Sequence, residues 1–122
     1  MRLYKSIEEL KDHRFKVYYR GEPYGYLYVC ELGDYTKIGI TKDVITRLMT
    51  HSANARIYGN KLIGRICVSA SFSFYKELES YFHNMFYAYK KDKEIFDIPF
   101  DRVVDAMRET MNEPFFKYIY AL

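Results

Sequence analysis

An α+β fold, with a small, mainly antiparallel three-stranded central sheet flanked by helices, is what the pattern of side chains along this 122-residue chain predicts. Three observations carry that expectation. From Tyr24 to about Leu32 side chains alternate with the period of a strand. Gly33-Asp34 is a turn signal, after which Tyr35 to Ile40 returns as the second arm of a hairpin. Two later stretches switch to the three-and-four spacing that only a helix gathers onto one face.

In chain order, Ser6-Ile7-Glu8-Glu9 reads as a capping box opening a short helix to about Lys11. Phe15 to Tyr19 has strand character and Arg20-Gly21-Glu22-Pro23 is a turn. In the hairpin, Leu27 and Val29 point one way, while Tyr24, Tyr26, Tyr28 and Cys30 point the other. Thr41 is placed to cap a helix to about Ala53, with Val44, Ile45, Leu48 and Met49 as its apolar stripe. A third strand is expected over Leu62 to Val68. Ser73 or a neighbour then caps a longer helix to about Tyr89, striped by Tyr75, Leu78, Phe82, Met85, Phe86 and Tyr89. Glu94 to Ile98 looks extended, Pro99 opens a last helix to about Met111, and the tail from Pro114 to Leu122 is apolar enough to dock. No repeat, low-complexity tract or linker interrupts this order, so residues 1–122 are read as a single domain.

Composition narrows the class. The formal charge of +3 and pI near 8.7 permit a phosphate-rich partner without demanding one. There are 14 Tyr and 9 Phe but no Trp, and tyrosine suits half-buried faces, interfaces and stacking surfaces alike. Cys30 and Cys67 belong to no C-x-x-C pair and have no histidines at ligand spacing, so they read as buried thiols in a reducing compartment and not as zinc ligands. The charged stretch from Met1 to Leu10 lacks an apolar leader core and no apolar run approaches a membrane span, so a cytoplasmic protein is expected.

Five polar residues stand out. Tyr28 lies on the strand face opposite Leu27 and Val29, and Lys37 sits on the returning strand beside Ile38-Gly39. Arg47 and His51 are four apart and share one side of their helix, at the flank of its apolar stripe. Glu79 falls roughly 70° from the middle of the Tyr75/Leu78/Phe82/Phe86 stripe, whereas Glu77 projects roughly 130° away into water. A carboxylate at the margin of a buried face is costly unless a cation or a metal faces it. Each residue alone also has a structural reading: Tyr28 in packing, Arg47 paired with Asp43, His51 at a helix end, Glu79 paired with Lys76 or His83.

Taken together and in order, Tyr26-Leu27-Tyr28, Lys37-Ile38-Gly39-Ile40-Thr41, Arg47, His51 and Glu79 resemble the GIY-YIG endonuclease superfamily over about residues 24–98. The sequence looks most like the branch found in phage and prophage proteins, in which the second motif reads K-I-G-x-T; Glu79-Ser80-Tyr81-Phe82-His83 and Glu94-Ile95-Phe96 match further elements of that branch. The resemblance implies a compact GIY-YIG-like domain that hydrolyses phosphodiester bonds in DNA, in the cytoplasm of a bacterium or infected host cell. It implies that Tyr28 helps deprotonate the attacking water, that Arg47 faces the scissile phosphate, that His51 assists proton transfer, and that Glu79 ligates one Mg²⁺ or Mn²⁺. Lys37 stands where the motif has its second tyrosine and supplies positive field, or takes over part of the base's task. Tyr26 stands at the first motif's glycine, and the superfamily's late asparagine has no counterpart. The alternative is therefore a catalytically weak or inactive module that binds nucleic acid or a protein. A homodimer, with the aromatic tail Phe115 to Tyr120 as its surface, is a further expectation.

Overall fold

The computed structural model describes residues 1–57 and 63–112, with the side chains of 54–57 and 112 outside that description. The elements run β1 (Arg2–Tyr4), α1 (Ile7–Lys11), β2 (Gly25–Leu32), β3 (Tyr35–Thr41), α2 (Val44–Ile57), β4 (Ile66–Phe72), α3 (Tyr75–Met85), β5 (Ile95–Phe96) and α4 (Phe100–Asn112), with a 3₁₀ turn at Tyr87–Tyr89. The α+β class holds. The sheet, however, has five strands in the order β1-β4-β2-β3-β5, all antiparallel, where three were expected.

The two extra strands are edge pieces. β1 lies along Ile66 to Val68 of β4, and β5 pairs only Ile95 and Phe96 with Lys37 and Thr36 of β3. Neither is long enough to leave a period in the sequence. The segment Phe15 to Tyr19 forms no strand: its tie to the neighbouring chain is one bond from Tyr18 N to Lys42 O (3.0 Å), and the Lys16 carbonyl is taken by the Tyr26 hydroxyl (2.9 Å). β4 begins at Ile66, not Leu62, and continues to Phe72 through a serine-rich stretch that shows no apolar run. Residue 62 itself, like the tail from 114 to 122 with its expected dimer surface, lies outside the described residues.

β2 is central and buried on both faces. Leu27 and Val29 join Ile38, Cys67, Phe82, Phe96 and Met107 under α3 and α4. Tyr26, Tyr28 and Cys30 join Tyr4, Leu10, Val44, Leu48 and Val68 under α1 and α2. The alternation read from the sequence is thus the division between two cores, and the two buried thiols end on opposite faces. Fully burying each large apolar side chain contributes about 1.5–3 kcal/mol. Gly33, with φ +61°, makes the two-residue turn between Leu32 and Tyr35. A register shift between Tyr26 and Tyr28 frees the Leu27 amide from the β4 ladder, and Ser69 Oγ accepts it (3.0 Å).

Helix starts deviate from expectation for local reasons. Thr41 is the last residue of β3, paired with Tyr26, and its Oγ1 accepts from Asp43 N (3.0 Å). Asp43 is the residue that caps α2, through Oδ1 to Thr46 N (3.2 Å). At α3 the cap position falls on Phe74, which has no capping atom, so Ser73 is not the cap. Ser6 does cap α1, through Glu9 N (3.3 Å), and Glu9 returns a bond to Lys5 N (3.0 Å). Between β2 and α4, Arg65 donates to Glu31 through Nη2 and Nε (2.8 and 3.1 Å) and to Asp101 through Nη1 and Nη2 (2.8 and 3.1 Å). Among the described residues no helix is long and apolar enough to cross a membrane.

Candidate active site

Four elements and one connecting segment deliver polar side chains to one end of the sheet near β3 and β5. Tyr28 comes from β2, Lys37 from β3, Arg47 and His51 from successive turns of α2, and Glu79 from α3. Glu94 arrives just before β5.

Tyr28 sits opposite Gly39 in the ladder, and its ring crosses directly over that glycine. A Cβ at position 39 would stand 2.5 Å from the Tyr28 hydroxyl, so the glycine of the K-I-G motif is a slot for the phenol. The ring is fully buried and Oη lies 2.7 Å from His51 Nε2. The Arg47 guanidinium acts electrostatically on the phenol. Either Oη or Nε2 donates in the Tyr28–His51 bond, according to which His51 nitrogen carries the proton. Burial holds the Tyr28 phenol well above its ordinary range, with Arg47 pulling it back. Burial, then the charges of Lys37 and Arg47, push His51 down to about 4, so its ring is neutral at pH 7 and free to accept.

Lys37 Nζ is ion-paired with Glu94 Oε2 at 3.1 Å. Lys37, Arg47 and the 92–95 segment line a concavity of about 340 Å³. Glu79, half-buried beside this cluster, has its Oε2 shut off from solvent with no hydrogen-bond partner. Burial raises its carboxyl, the Glu94 charge raises it further, and His83, Lys37 and Arg47 oppose both. Glu77 is exposed, as its place on the helix required.

The five expected residues are therefore gathered, but not equally. Tyr28 and His51 are hydrogen-bonded; Lys37 is tied to Glu94; Arg47 and Glu79 are linked to the rest through charge. Glu94 was read only as part of an extended motif, because its neighbours meet it through tertiary structure. His83, one turn after Glu79, donates Nε2–H to the Ile38 carbonyl (2.9 Å) and fixes α3 against β3. The i, i+4 spacing of Glu79 and His83 was the available signal for it.

Among the described residues no group of three or more His, Cys, Asp or Glu side chains is placed to enclose a metal. One buried, unpartnered carboxylate oxygen next to a second carboxylate does suit a hard divalent ion that keeps most of its shell as water and phosphate oxygens.

A helix-flanked antiparallel sheet presenting basic groups, a carboxylate and a phenol–imidazole pair defines a nuclease-like or DNA-binding module. The T5orf172 domain model matches residues 25–111, and the chain belongs to that family, a phage-associated domain linked to nucleases. No curated protein and no solved structure matches the chain.

Proposed function

We propose that this chain is a metal-dependent endonuclease of the GIY-YIG type that hydrolyses phosphodiester bonds in DNA, within a bacterial or infected host cytoplasm. The observation that supports it best is the buried, unpartnered Glu79 Oε2 beside Lys37, Arg47 and the Tyr28–His51 pair. Phosphodiester hydrolysis needs a base, a positive clamp and neutralisation of the leaving oxygen. Glu79 would hold one Mg²⁺ or Mn²⁺, which when bound polarises the phosphate and stabilises the leaving oxygen. Arg47, at the mouth of the concavity, meets the negative charge of the phosphate. Tyr28 takes a proton from the attacking water while passing its own to His51 Nε2, so the hydrogen-bonded pair acts as one base. Phosphate charge entering beside Lys37 and Arg47 offsets the field that depresses His51 and makes it a better acceptor. Cutting both strands takes either a homodimer or two successive nicks.

A second reading, a module that binds nucleic acid or a protein without cutting, draws on two facts. Tyr28 is wholly buried, and Lys37 is neutralised by Glu94. A supercoiled-plasmid nicking assay at low salt with Mg²⁺ or Mn²⁺ separates the two. Wild type is expected to nick, a chelator to stop it, and Glu79→Gln and Arg47→Ala each to lose at least about 100-fold, the scale of losing one group that stabilises transition-state charge. Equal nicking by all three proteins, or none by the wild type, rules out the nuclease.

A further inference from the structure

At the other edge of the sheet, β1 stops at Arg2, opposite Val68, while β4 continues to Phe72. A concavity of about 360 Å³ opens where β1 gives out, bounded by Arg2, Arg14, Lys16 and the Ser69–Ser71 edge of β4. No Asp or Glu lines it, and Arg2, Arg14 and Lys16 are all exposed. Its floor is aromatic: His13 meets Phe15 edge-on at 4.7 Å, and Phe15 meets Tyr4 at 6.0 Å and Tyr26 at 5.8 Å.

Two details mark this as a built feature and not a chance gathering of surface charge. Arg2 Nη1 lies 2.8 Å from His13 Nδ1, which ties the guanidinium to one ring of the aromatic floor. Tyr4, which lines the concavity, is 5% exposed, and its hydroxyl is buried near Arg2 with no hydrogen bond. An orphaned buried hydroxyl is costly, and an anion is the ligand that the three cations lining the concavity select.

We propose that this concavity is a second contact for nucleic acid, holding a backbone phosphate with Arg2, Arg14 and Lys16, apart from the candidate active site. Tyr26, in its floor, and Tyr28, in the candidate active site, lie two residues apart on one face of β2, roughly 7 Å along the strand. The two sites therefore share a face of the sheet. The contact carries no base information, so it fixes the strand's position and leaves sequence preference unchanged. It stands whether or not the module cuts.

The test is binding of a labelled DNA duplex by the full chain in chelator, at a series of salt concentrations. Arg14→Ala/Lys16→Ala is compared with Arg102→Ala/Arg108→Ala, which removes the same charge from exposed positions on α4, across the sheet. Each phosphate contact contributes about 0.9 to the slope of log K against log salt. The concavity variant is expected to flatten that slope by about 0.9, the share of one phosphate, and to bind at least about tenfold more weakly at low salt, with the α4 variant close to wild type. Equal effects of the two variants, or no duplex binding by the wild type, would overturn the proposal. Cleavage lost in Glu79→Gln alongside equal binding by both variants would sink this second contact while sparing the active-site reading.

Discussion

The same two strands meet different chemistry on their two sides. Toward α3 and α4, Leu27, Val29 and Ile38 pack on Phe82, Phe96, Val103 and Met107, and no tyrosine belongs to that buried cluster. Toward α1 and α2, three tyrosines, Tyr4, Tyr26 and Tyr28, belong to the buried cluster, and each brings a hydroxyl that needs a partner. One hydroxyl reaches a backbone carbonyl, one reaches His51, and one is left open. The buried cluster of the first side supplies cohesion, and the reactive groups there, Glu79 and His83 of α3, lie at its margin. The second gives up some of that simplicity to hold proton donors and acceptors at fixed places, which is what a site requires.

Substitutions on the two sides should therefore separate stability from chemistry. Met107→Ala, on the hydrocarbon side and away from the candidate site, is expected to cost about 2–5 kcal/mol in urea unfolding. At low temperature, molecules that remain folded should nick DNA at the wild-type rate; a parallel loss of nicking would break the division. Gly39→Ala is expected to cost less, about 1–3 kcal/mol, because the new methyl must displace a buried ring. It should also abolish nicking by moving Oη off His51, and a variant that nicks normally would show that the phenol's position is not needed.

The smallest effect expected is on pH dependence. The folded-state pKa of His51, about 4, lies below the unfolded value of roughly 6.5. Its contribution to stability is complete above pH ~6.5 and is lost as pH falls toward 4, since the unfolded chain takes up a proton that the folded chain refuses. Glu79, with a raised carboxyl, works in the opposite direction, so the comparison must be made by variant. Between pH 7 and 5 the wild type should lose more stability than His51→Gln; a His51 ring titrating near 6.5 by NMR would contradict the burial argument.

How legible these features were follows from the range of the interactions that make them. Alternation in β2 is a local period, so the assignment of Leu27 and Val29 to one core and Tyr26 and Tyr28 to the other was available from sequence. The marginal position of Glu79 followed from helix geometry in the same way. β1 was invisible because three residues carry no period, and although Glu94 to Ile98 read as extended, the place of β5 in the sheet depends on partners elsewhere in the chain. Phe15 to Tyr19 has strand-forming residues, yet the Tyr26 hydroxyl and Lys42 carbonyl claim its backbone. The role of Glu94 was hidden for a related reason: nothing near it in sequence announces Lys37.

Arg65 has a consequence for how the chain reaches and leaves this state. It binds a carboxylate 34 residues behind it and another 36 ahead, so its full set of bonds exists only once most of the chain is docked. Contacts of that span, between exposed and half-buried charges, are expected to form after the folding barrier, with low φ-values. Arg65→Ala is expected to leave the refolding arm of a chevron plot in place and raise the unfolding arm, and slowed refolding would place the cluster in the nucleus instead. On this account the guanidinium acts as a latch: it contributes little to finding the fold and much to how long the fold persists.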